Sequence, residues 1–86
     1  MALQILCAQY ATPNANVDVT LICQKAVSTG NDDIPVNNQF MGGDPDIGVV
    51  KQFGILYFLN GTLTAQTAQE GQTVDLVPAP AAAKSA

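Results

Sequence analysis

The chain has 86 residues, a formal net charge of −4, three lysines, and no arginine or histidine. A chain this short builds one core and usually needs support from disulfides, a metal or oligomerisation. Without clustered positive charge neither nucleic acid nor an anionic membrane is an expected partner, and no apolar run reaches the length of a membrane-spanning helix.

The first residues lack the basic start and long apolar run of a secretory signal. A reducing, cytoplasmic location is expected, with export by a route that needs no such signal as the other option. Leu3, Ile5 and Cys7 alternate with Gln4 and Ala8, which predicts a first strand over residues 2–10. Thr12, Pro13, Asn14 and Asn16 supply turn chemistry. Val17, Val19, Leu21 and Cys23 then continue at a period of two as a second strand. The same stretch also reads as a short helix, through Leu21, Ile22 and residues 25–27, capped by Thr20 or Asp18. If Tyr10 pairs with Val17, Cys7 faces Thr20 rather than Cys23. Two buried free thiols are therefore expected, with a disulfide as the alternative.

Residues 28–33 form a loop by composition. Ile34, Val36, Asn38 and Phe40 predict a third strand, and Pro35 either places it at an edge or delays its pairing until after the proline. Residues 41–48, MGGDPDIG, are dense in glycine, proline and aspartate and read as a defined turn. Residues 49–59 are the longest strand candidate. Asn60-Gly61 predicts a two-residue hairpin turn, which pairs Leu59 with Thr62 and Ile55 with Gln66. One face of this hairpin carries Leu56, Phe58, Leu63 and Ala65 and is the expected core. The other carries Phe53, Ile55, Tyr57 and Leu59, which need cover from a second sheet or from another subunit, and these four are the expected self-association residues. Val74 and Leu76 mark a last strand. Residues 1–77 are thus expected to be one domain, with 78–86 a flexible Pro/Ala-rich tail or an arm ordered against a neighbour.

Chemistry is sparse. With no histidine, the usual general base is missing, and neither cysteine has a cation or helix N-terminus to activate it, so no catalytic residue, cofactor or enzymatic activity is expected. Asp32 and Asp33 in one loop and Asp44 and Asp46 in another could form a calcium site with Asn31 if the loops meet, although no EF-hand spacing is present. Otherwise these aspartates cap turns and keep the loops hydrated. Asn60-Gly61-Thr62 matches a glycosylation sequon, which hairpin preferences alone explain. The five aromatic residues offer either a carbohydrate platform or, from their alternating positions, core packing.

Val17 to Thr20 reads VDVT, and Gly43 to Gly61 reads GDPDIGVVKQFGILYFLNG. In these segments the chain resembles a family of small domains of unknown function, best known as the C-terminal domain of mitochondrial DnaJ-like co-chaperones and also similar to stand-alone fungal and bacterial proteins. The resemblance implies a compact β module without catalytic residues, and structural roles for Asp44, Pro45, Gly48 and Lys51. No J-domain accompanies it, so it does not imply a co-chaperone function.

The expected fold is all-β: a small antiparallel β-sandwich or jelly-roll-like barrel of six to seven strands, with Asp44, Pro45, Gly48, Asn60 and Gly61 at structural turns. The expected function is a non-enzymatic interaction module that associates with itself into a filament or ring. The alternatives are a ligand-binding module, for carbohydrate or calcium, and an adaptor for another protein.

Overall fold

A computed structural model describes residues 2–78; the segment read as a tail lies, from residue 79 onward, outside the described residues. Six antiparallel strands form two sheets with one helix: β1 (Leu3–Thr12), β2 (Ala15–Asp18), α1 (Thr20–Ser28), β3 (Asp33–Pro35), β4 (Gln52–Leu59), β5 (Thr62–Gln69) and β6 (Thr73–Asp75). The larger sheet has the order β2-β1-β4-β5, and β3 pairs only with β6. Neither sheet closes, so the barrel expectation is corrected: each sheet keeps two edges.

The hairpin forms as the sequence predicts. Asn60 and Gly61 have φ of 51° and 85°, as a type I′ turn requires, and every pair from Leu59↔Thr62 to Ile55↔Gln66 is in the expected register. Tyr10 also lies opposite Val17. The second strand, however, stops at Asp18, where the carboxylate accepts a hydrogen bond from the Thr20 N–H at 2.9 Å. The chain then turns into α1. Val19 and Cys23 are buried, with Ile22, Ala26 and Val27 packed against the core, a helical rather than a strand period. The third strand is likewise shorter than predicted. Asn37 Oδ1 accepts the Phe40 N–H at 2.7 Å and the Asn37 carbonyl accepts the Met41 N–H at 3.1 Å, which turns the chain where Asn38 and Phe40 were expected to extend it.

The two faces of the hairpin are the reverse of the expectation. Phe53, Ile55 and Tyr57 are buried, and Leu59 packs partly against them. Their cover comes from the same chain: Val19 just before α1 and Cys23 within it, Ile34 of β3, Val74 of β6, and Val36, Met41 and Leu76 beside them. These side chains are therefore core, not a surface for another subunit. Leu56 and Leu63 are instead 38% and 57% exposed, Ala65 is exposed, and Phe58 is half-buried.

A β-bulge also changes which residues of β1 face the core. The register of β1 against β4 shifts between Ile5 and Cys7, so an extra residue changes the parity of β1. Leu3 and Ile5 face the core before the bulge and Ala8 and Tyr10 after it, while Leu6 and Cys7 are exposed. The expectation of two buried thiols thus holds for Cys23 alone. Both thiols are free.

Candidate functional site

Two clusters of charge stand out, and they divide the four predicted aspartates between them. At one, the β3–β6 ladder places Asp33 directly opposite Asp75. The preceding residue, Asp32, is fixed by its carbonyl, which accepts the Leu76 N–H at 2.8 Å. Carboxylate oxygens of Asp32, Asp33 and Asp75 all lie within 4.8 Å of one another. Asn31 Oδ1 accepts the Asp33 N–H at 3.0 Å, and Asp75 Oδ1 accepts the Val77 N–H at 2.9 Å, so short local turns hold two sides of the corner. Burial, then the charges of Asp32 and Asp75, raises the Asp33 carboxyl above its ordinary pKa. Like charges directly opposite across a ladder repel, and among the described residues the only side-chain ion pairs involve Lys51, not this corner.

The second cluster is the anchor of the 43–51 loop. Lys51 is only 2% exposed, and its ammonium is paired with Asp44 and lies 3.8 Å from Glu70. Burying that charge is tolerable only because it is paired, and the main chain reinforces the arrangement. The Glu70 carboxylate accepts the Lys51 N–H at 3.1 Å, and the Glu70 N–H donates to the Lys51 carbonyl at 2.8 Å. Asp44 also accepts the Asp46 N–H at 3.0 Å, and the hydrogen bond from Lys51 holds its carboxyl below the usual range. Asp46 accepts a hydrogen bond from the Thr12 hydroxyl at 2.7 Å, which ties the loop to β1. Gly48, at φ 83°, supplies the left-handed residue of the turn that the Val49 N–H closes on the Asp46 carbonyl at 3.2 Å, ahead of β4. An open cleft of about 370 Å³ lies over this anchor, bordered by Asn38, Gly48, Val49 and Gln69. Beside it the Tyr10 hydroxyl donates to Asn38 Oδ1 at 2.6 Å. Its pKa is raised by burial first and then by Glu70 and Asp44.

Asp44 is thus committed to Lys51 and Asp46 to Thr12 of β1, and the acidic corner consists of Asp32, Asp33 and Asp75. Asp75 was not visible as a member because its strand lies some forty positions further along the chain. A short Thr-Val-Asp strand facing Asp-Ile-Pro was the only available signal. No aromatic residue forms an exposed platform for a sugar: Tyr10, Phe53 and Tyr57 are buried, and Phe40 and Phe58 are half-buried. No helix among the described residues is long and apolar enough to cross a membrane.

The fold and these clusters define a small antiparallel β domain with a charge-anchored loop and an acidic corner. Comparison with protein-family models, with curated proteins and with solved structures found no match.

Proposed function

We propose that this domain is a non-enzymatic binding module that takes a divalent cation of the calcium class at Asp32, Asp33 and Asp75. One observation carries the reading: three carboxylates are brought within 4.8 Å of one another by the β3–β6 register, at the cost of a raised pKa at Asp33. A hard cation with oxygen ligands relieves that repulsion, and carboxylates from two strands can bind it from opposite sides. The pairing of the buried Lys51 with Asp44 serves a different end, holding its loop against β4 and β5.

Calorimetric titration with calcium, with a thermal melt in calcium and in chelator, tests the reading. Binding heat and a rise in Tm are expected for the full chain, and both are lost in Asp75→Asn. The absence of both heat and shift in the full chain removes the cation from the account.

A further inference from the structure

The four sheet edges are not treated alike. β2 is four residues long and ends in Asp18, β3 is Asp-Ile-Pro, and β6 is Thr-Val-Asp. Each is short and carries an acid or a proline, the usual guards against pairing with another chain. The remaining edge, β5, is eight residues of TLTAQTAQ, with no charge and no proline.

The hairpin register fixes which main-chain groups of β5 face outward. In a two-residue turn the flanking residues Leu59 and Thr62 bond to each other, so Thr62, Thr64, Gln66 and Ala68 direct their N–H and C=O groups toward β4. Leu63, Ala65, Thr67 and Gln69 direct theirs away from the sheet. The Gln69 N–H is already taken by Gln72 Oε1 at 2.7 Å. Leu63, Ala65 and Thr67 are exposed, and among the described residues no other main-chain group bonds their outward N–H. β6 packs beside β5, where the Gln66 side-chain amide donates to the Asp75 carbonyl at 2.7 Å, and no main-chain hydrogen bond joins the two strands among the described residues.

We infer that β5 pairs antiparallel with β5 of a second copy of this chain, about a two-fold axis at Ala65. The spacing is self-complementary. With Ala65 opposite Ala65, Leu63 falls opposite Thr67 on both sides, and all three outward residues become bonded pairs with about six main-chain hydrogen bonds. Matching residues share a face, so the exposed side of each four-stranded sheet continues into the other and the two cores stay on one side. No charge opposes the approach along the strand. The contact is isologous, so it closes at a dimer; it uses neither Phe53, Ile55, Tyr57 nor Leu59 and does not propagate a fibre. It does not depend on cation binding.

Sedimentation or light scattering of the full chain at high micromolar concentration, with Ala65→Lys beside it, tests the inference. The full chain is expected at twice its 8.9 kDa mass, and Ala65→Lys, which sets two ammonium groups together on the axis, at the monomer mass with an unchanged circular dichroism spectrum. Amide exchange in the unmodified chain gives an independent reading should the variant not fold. Leu63, Ala65 and Thr67 become protected together as concentration rises. A monomer at every concentration, a dimer unaffected by Ala65→Lys, or fast exchange at those three amides in the dimer overturns the inference. Protection at those amides that does not change with concentration points to another segment of the same chain on this edge and also overturns it.

Discussion

The hydroxyl of Tyr57 accepts a hydrogen bond from the side-chain amide of Gln66 at 2.8 Å and donates one to the Leu76 carbonyl at 2.8 Å. Two strands of the larger sheet are thereby linked to the residue that follows β6. The polar row opposite Phe53, Ile55 and Tyr57 is therefore no sign of a solvent face, since Gln66 reaches both Tyr57 and the Asp75 carbonyl. Tyr57→Phe leaves the buried Leu76 carbonyl without its donor. It should cost about 1–2 kcal/mol in urea denaturation, with the slope unchanged.

The exchanged faces give a sharper test. Phe53→Asp places a charge in the core and should abolish cooperative unfolding, whereas Leu56→Asp, on the exposed face, should leave a folded domain. Near-ultraviolet circular dichroism distinguishes them through the packed tyrosines. A folded Phe53→Asp beside an unfolded Leu56→Asp would restore the opposite orientation of β4.

Much of the hairpin was legible because its determinants are local: Asn60-Gly61 sets the turn, and the turn sets every pair along β4 and β5. Which face it buries was not legible. The strand is apolar at both parities, and the choice rests on remote cover from Val19, Ile34, Val74 and Leu76. The bulge beside Leu6 left no local mark, since Leu3, Ile5 and Cys7 alternate as they would in an unbroken strand. For the charge clusters, Asp44 and Lys51 are seven positions apart and both drew attention as sequence, while the pairing of Asp33 with Asp75 depends on a contact between distant strands.

The thiols should behave differently. Cys7 is exposed, and burial pushes the Cys23 thiol up to about 11. A water-soluble thiol reagent at neutral pH should modify one cysteine per chain in the native protein and both in denaturant. Two fast native reactions would contradict the burial of Cys23 on the inner side of α1.

Acidification should act on Asp33 and Asp44 in opposite directions. The folded pKa of Asp33 is raised, so its contribution to stability is present while it is protonated and is lost as pH rises through the raised value. The folded pKa of Asp44 is lowered, so its contribution is present above the unfolded value and is lost as pH falls through the lowered one. In thermal melts without calcium, Asp33→Asn should raise Tm at neutral pH and Asp44→Asn should lower it. Both differences should shrink as pH falls through the carboxylate range, around pH 4. Equal and same-signed effects of the two substitutions would contradict the distinct roles of these carboxylates.

The acidic corner is most directly tested by following the amide resonances of the full chain during a calcium titration. Cation binding at the corner predicts saturable shifts centred on Asp32, Asp33 and Asp75, smaller changes at Asp44 and Asp46, and loss of the response in Asp33→Asn. No saturable shift at the corner, or shifts centred instead on Asp44 and Asp46, would contradict it.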